Sequence, residues 1–313
     1  MSTQSAILKS GKKNNMFRTD RDRRDNRLAL MNVIPIFAWY LVFNAIPIGI
    51  GLFLAFSEWN ALAAAPRFIG IQNFVTFFSS PDYVRLLFRQ FFIGGLAVGT
   101  NFILSFFLGL MLNVPIRLKG FFRVCDYMPA VTAVSTTTAV FVALLMPFDG
   151  GLNSLLESLG MDPVIWTHST NWMIFWITIY TVWRSIGPAA ILWLSGLQSI
   201  DPQLYEAARV DGANKVQEAL HVTIPGLRYT ASFIVLTGII GMMQMFDAVM
   251  FISAGGPVGT TDVIAFRIFR DGARSFNLGM AGASSVVVGL VTLVFSLIFL
   301  NMWLNKGEKE AEK

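Results

Sequence analysis

Long apolar runs alternate with short polar segments along this chain, and the runs are long enough to cross a bilayer. A helix needs about 20 apolar residues to span the hydrocarbon core. The pattern predicts six such spans: 28–56, 91–112, 127–148, 172–197, 229–252 and a sixth within 278–305. Apolar residues fall on every face of these stretches, which marks buried or lipid-embedded helices rather than amphipathic surface ones. The expected fold is therefore an all-α membrane protein, a bundle of six transmembrane helices over 28–305. A polar arm (1–27) precedes it and a charged tail (306–313) follows. The arm is too long and too mixed in charge for a signal-peptide n-region, and no small-residue cleavage site follows it, so it is expected to stay uncleaved. Gly95 with Gly99, and Gly238 with Gly241, predict close helix approaches. Pro35, Pro47, Pro129 and Pro188 predict kinks.

Composition narrows the class. The chain is 54% hydrophobic and only 14% charged, where a soluble protein carries about a quarter charged residues. The net charge of +5 is unevenly placed. Lys9, Lys12, Lys13, Arg18, Arg21, Arg23, Arg24 and Arg27 crowd the arm. Arg117, Lys119 and Arg123 follow the second span, Arg209, Lys215 and Arg228 follow the fourth, and Lys306, Lys309 and Lys313 close the chain. The opposite loops hold only Arg67, Arg85, Arg89, Arg267, Arg270 and Arg274. The excess of Lys and Arg predicts a multi-pass membrane protein with both termini cytoplasmic. These charges are too thinly spread for nucleic acid. The single cysteine, Cys125, allows no internal disulfide and reads as a small apolar filler. With only His168 and His221, far apart, no metal site is expected.

One connection breaks the pattern. Residues 198–228 form a polar insert far longer than the roughly 2–8 residues that join helices in a bundle. Asp201-Pro202 is a helix start: the carboxylate caps free N–H groups and proline has its φ preset for the first turn. Leu204, Tyr205, Ala207, Ala208 and Val210 continue a short helix with an apolar stripe expected to pack on the bundle, while Glu206, Arg209 and Asp211 face away. Asp211-Gly212 turns the chain, a second helix is expected from Ala213 to about Val222, and Ile224-Pro225-Gly226 is expected to stop it. The bland alternative is a solvated connector; two capped helices favour a docking surface for a cytoplasmic partner.

Glu206-Ala207-Ala208, Asp211-Gly212-Ala213 and Ile224-Pro225, at this spacing, resemble the "EAA…DGA…(I/L)P" signature of membrane permease subunits of binding-protein-dependent ABC importers, closest to the carbohydrate (maltose-type) branch. The segments 68–74 (FIGIQNF), 128–136 (MPAVTAVST), 150–156 (GGLNSLL) and 245–262 (MFDAVMFISAGGPVGTTD) are similar to further motifs of that family. The likeness covers residues 28–305. The chain departs from it in reading Ile200-Asp201-Pro202 before the insert and Ile224-Pro225 after it. The resemblance implies that the insert couples to a separate ATPase through Tyr205, Glu206, Ala207, Ala208, Asp211 and Gly212. It also implies a bacterial-type cell (inner or plasma) membrane, a second permease as heterodimer partner, two ATPase subunits, an extracytoplasmic solute-binding protein and a sugar or oligosaccharide substrate. No phosphate-binding G-x-x-x-x-G-K-[ST] loop occurs in the chain, nor a nucleophile elbow or H-E-x-x-H. The chain is therefore expected to be non-catalytic and to bind no cofactor, with ATP and Mg held by the partner ATPase.

Arg184 and Asp247 are ionisable residues inside apolar spans, where such groups are costly and face a partner or a wet cavity. Either they line a pathway, or they pair between spans, or Asp247 sits near the outer interface. The resemblance places substrate contacts at Thr181, Arg184, Ser185, Gln244 and Met245. Trp183 is either a sugar-stacking ring or an ordinary core or belt residue. A second class of function stays open here: an ion- or proton-coupled secondary transporter with Arg184 and Asp247 as its coupling site.

Overall fold

The computed structural model describes residues 20–311, apart from 61, 63, 64, 115 and 116. Most of the arm, residues 1–19, lies outside the described residues. The chain divides into two units, 1–53 and 54–313.

The first unit carries α1 (Asp20–Tyr40), a π-helical turn (Leu41–Ala45) and most of α2 (Ile46–Ala55). The stretch Leu30–Ala55 is apolar and 26 residues long, enough to span. Pro35 sits inside α1 without ending it. Pro47 lies two residues past the π turn. Its ring would crowd the carbonyl four residues back, Phe43, and the wider turn relieves that clash.

The second unit is built on three long helices, α4 (Pro81–Asn113), α8 (Thr170–Gln198) and α14 (Leu278–Ala311), with α12 (Arg228–Met243) between them. Before α4 come a short antiparallel hairpin, β1 (Ser57–Glu58) with β2 (Arg67–Phe68), and α3 (Gln72–Ser79). The amide of Asn73 ties α3 down by donating to the carbonyls of Ala55 and Ser57. The predicted tail is helical as far as Ala311, as the end of α14.

Two predicted spans are not straight helices. The third consists of α5 (Lys119–Val131) and α6 (Val134–Leu144), bent by 94°. Pro129 removes a backbone donor near the end of α5, and Thr132 folds its hydroxyl back onto the Met128 carbonyl. The fifth ends as α12 at Met243 and resumes as a π-helical segment, Val249–Ser253. Fully buried Gln90 of α4 takes up that interruption. Its Nε2 donates to the carbonyls of Met242 (2.5 Å) and Met245 (3.3 Å), and its Oε1 accepts from the Ala265 N–H of α13 (Ile264–Phe269). Irregular backbone inside a bundle needs such substitutes. By length and composition four helices among the described residues can each cross a membrane, and six spans result only if each of two bent pairs counts as one.

Other expectations change with packing. Gly95, Gly99 and Gly241 meet nothing at the Cβ position. Of the predicted glycines only Gly238 makes a close approach, against Val98; the others fall at Gly94 against Met242, Gly109 against Trp193 and Gly187 against the Asp126 backbone. Glycine spacing alone does not say which face of a helix meets another. Pro188 lies inside α8 and leaves it continuous. Cys125 is exposed rather than buried; in a membrane chain an apolar side chain need not be inside the protein.

Outside the long helices, α7 (Gly151–Ser158) is held by Asn153, which is fully buried. Its amide donates to the carbonyls of Pro147 (2.7 Å) and Val164 (3.0 Å) and accepts from the Val164 N–H (3.0 Å). Asp262, near the end of the 245–262 motif, is buried and paired with Arg270 at 2.6 Å. Burial outweighs that partner and raises its carboxyl above the ordinary range.

Candidate functional site

The insert at 198–228 forms two helices joined at a sharp turn. α9 (Pro202–Val210) starts on Asp201, whose carboxylate accepts from the Gln203 N–H at 2.9 Å. It ends in a left-handed glycine cap: Gly212 has φ +79°, its N–H reaches the Arg209 carbonyl, and the Ala213 N–H reaches the Ala208 carbonyl at 2.9 Å. This pair of bonds satisfies carbonyls that the helix end would leave bare. The second helix begins at Lys215, two residues later than the pattern predicted. Asn214 caps it in a reciprocal box with Gln217, accepting from the N–H groups of Val216 and Gln217. Asn and Gln three apart form a start signal that the sequence contains. The helix does not stop at Ile224. α10 (Lys215–Glu218) widens into a π turn (Ala219–Thr223) and continues as α11 (Ile224–Gly226), and the chain bends by 60° only at Leu227 before α12. The π turn accommodates Pro225 as the earlier one accommodates Pro47.

The apolar stripe of α9 is divided. Tyr205 is half-buried and turns to the bundle, packing with Val222 on a cluster of Trp193, Leu197, Ile200 and Leu227, its hydroxyl 3.0 Å from that of Thr223. Ala208 is also half-buried, whereas Leu204, Ala207 and Val210 stay exposed, Val210 at 87%. Val216 and Leu220 of the second arm are exposed as well. Glu206, Asp211 and Gly212 lie on the surface. Arg209, expected to face away, reaches instead across the elbow to Glu218 at 2.9 Å, and Lys215 reaches the same carboxylate at 3.1 Å. The hydrogen bonds from Arg209 and Lys215 hold the Glu218 carboxyl below its ordinary range. Asp211 and Gly212, with Ala208, Gln217 and His221, line a shallow groove between the two arms.

The residues expected along a path separate into two groups. Thr181, Ser185 and Met245 line a cavity of about 290 Å³ between α4, α8 and α12. Asn101, Thr237, Gly238 and Gly241 line it too. Asn101 was not visible as a site residue from sequence; a lone amide inside an apolar span was the available signal. Trp183, Arg184, Gln244 and Asp247 do not line this cavity. Trp183 packs on Phe141 with ring centroids 5.5 Å apart. Gln244 and Asp247 are exposed at the break after α12. Among the described residues Arg184 and Asp247 form no ion pair. The Arg184 guanidinium lies 3.5 Å from the Ala130 carbonyl, the Thr137 hydroxyl and the Tyr180 hydroxyl, beside the bend between α5 and α6. These are long, charge–dipole contacts. A cation is favoured at the carbonyl end of a helix such as α5.

Known proteins resemble most of the chain. The Bacillus subtilis (strain 168) "Probable ABC transporter permease protein YurN" is 27% identical over 279 residues, covering 87% of this chain and 94% of that one. A solved chain from a bacterial ABC transporter involved in the import of the acidic polysaccharide alginate matches with TM-score 0.79 and 26% identity, over 92% of this chain and 99% of that chain. Another, from the alginate ABC transporter in complex with an alginate pentasaccharide-bound periplasmic protein, gives TM-score 0.75 and 25% identity, over 91% and 97%. Residues 28–307 match the family model described as the binding-protein-dependent transport system inner membrane component, and the chain belongs to that family.

Proposed function

We propose that this chain is the permease subunit of an ATP-driven importer of a sugar or oligosaccharide. It forms half of the translocation path and couples to a separate ATPase through the elbow at 201–225. The observation that carries the coupling role is the elbow surface. A two-helix insert with both helices capped, clamped across by Glu218, leaves Leu204, Ala207, Val210, Val216 and Leu220 exposed beside Glu206. Apolar side chains grouped on a polar connection mark a protein contact. Tyr205 anchors the elbow to the bundle, so a push on its outer face reaches α8 and α12.

The partners on this reading are a second, related permease, two ATPase subunits that hold ATP and Mg, and an extracytoplasmic solute-binding protein. The distribution of Lys and Arg supports an orientation with both termini and the elbow cytoplasmic. The sugar substrate is supported by the alginate importers that the chain resembles. Thr181, Ser185 and Met245 form this subunit's share of the path, and Arg184 holds the bend beside it.

Co-purification with the candidate ATPase tests the coupling. The wild-type chain should retain the ATPase, and Glu206→Ala or Gly212→Pro should lose it or uncouple hydrolysis from uptake. Uptake that follows a proton gradient with no ATPase bound would transfer the function to a secondary transporter.

A further inference from the structure

We infer that Asn101 is the side chain through which this half of the path recognises substrate hydroxyl groups, and that the path at this level takes an uncharged, polyhydroxylated stretch of sugar. The inference rests on the import reading above and narrows its substrate class. Four polar side chains line the cavity between α4, α8 and α12: Asn101, Thr181, Ser185 and Thr237. The three hydroxyls sit on helix carbonyls: Thr181 donates to the Ile177 carbonyl, Ser185 to the Thr181 carbonyl and Thr237 to the Phe233 carbonyl, each at 2.8 Å. A hydroxyl has one proton, so while these bonds hold, the groups offer a ligand acceptor lone pairs.

Asn101 is the one lining residue whose side chain carries N–H donors. Asn101 Oδ1 is shut off from solvent and has no partner, and Nδ2 makes no hydrogen bond among the described residues. The Nδ2 hydrogens are therefore what this amide offers a cargo in the cavity, and an N–H donor pairs with the lone pairs of a sugar hydroxyl. The three hydroxyls then accept from further sugar O–H groups. A carboxylate or phosphate would find the opposite: acceptors facing acceptors, one neutral donor, and no ionisable residue on the wall. Arg184, next in sequence to Ser185, is engaged at the α5–α6 bend instead.

The test uses the complete transporter in proteoliposomes with ATP. The neutral probes are maltotriose, cellotriose and raffinose, and the acidic ones trigalacturonate and trimannuronate. ATP-driven uptake is expected for a neutral probe. Asn101→Leu should raise its KM about tenfold or more while the maximal rate and the amount of assembled complex change far less. Asn101→Asp keeps the shape but removes the donors and adds charge, so it should do no better; a merely structural amide would instead show its loss in the amount of assembled complex rather than in KM. Unchanged KM in both variants, or ATP-driven uptake confined to the acidic probes or to none of the five, overturns the inference. Absence of any bound ATPase counts against the importer reading itself, which separates the two failures.

Discussion

Arg209 of α9 and Glu218 of α10 are joined by a 2.9 Å ion pair that closes the elbow across its turn. The carboxylate is buried and also receives Lys215, so a single acid ties the docking helix to the arm that leads into α12. Glu218→Gln keeps the shape and weakens both bonds. ATP hydrolysis by the assembled transporter should continue, with fewer substrate molecules carried per ATP. Measuring both rates in one proteoliposome preparation decides it; an unchanged ratio would mean that the clamp carries no force.

The same carboxylate gives the elbow a pH dependence of known sign. Its folded value is depressed from the ordinary 4.5. The stabilisation is therefore fully present above that value and is lost as pH falls below it, through the depressed folded value. Protection factors of the 201–226 amides, which remove the intrinsic slowing of exchange in acid, should fall in the wild type on acidification below about 4.5. In Glu218→Gln they should already be lower at neutral pH and lack this acid-dependent step.

Gly212 makes the turn with φ +79° and open space around its Cβ position. Gly212→Ala therefore costs backbone strain alone, about 1 kcal/mol, and Gly212→Asn less. Thermal unfolding should rank glycine above asparagine above alanine, with ATPase retention following the same order.

Asn153 bridges two carbonyls and one N–H from full burial. Asn153→Ala should destabilise the 147–165 loop by about 3 kcal/mol, because the carbonyls and N–H lose their partner out of reach of water. Limited proteolysis should then cut there first.

Gly187 and Gly95 separate tertiary contact from glycine spacing. A Cβ at Gly187 would lie 2.0 Å from the Asp126 carbonyl oxygen, and one at Gly95 would meet nothing within the subunit. Gly187→Ala should cost at least about 1–3 kcal/mol through forced separation of α5 from α8. Gly95→Ala should leave the isolated chain's melting temperature unchanged or slightly raised, since alanine is the better helix former. Comparable losses in both variants would refute the assigned α5–α8 approach.

Hydrophobic run length and local capping chemistry are properties of neighbouring residues, and the sequence by itself determined what depends on them. The helical class, the long apolar helices, the start of α9 at Asp201 and the turn at Gly212 all follow from side chains within a few positions of one another. The motif residues were legible too, although the jobs of Asn73 and Asn153 were not. Tertiary structure alone decided the rest, because those features are agreements between distant segments. The bend between α5 and α6 stands beside Arg184, from a helix some fifty residues away in sequence. The break after α12 is bridged by Gln90 from α4. Which glycines meet a neighbour, which half of the α9 stripe stays exposed, and which polar groups share a cavity with Asn101 depend on how whole helices are rotated. No local pattern encodes that rotation, since the spans are apolar on every face.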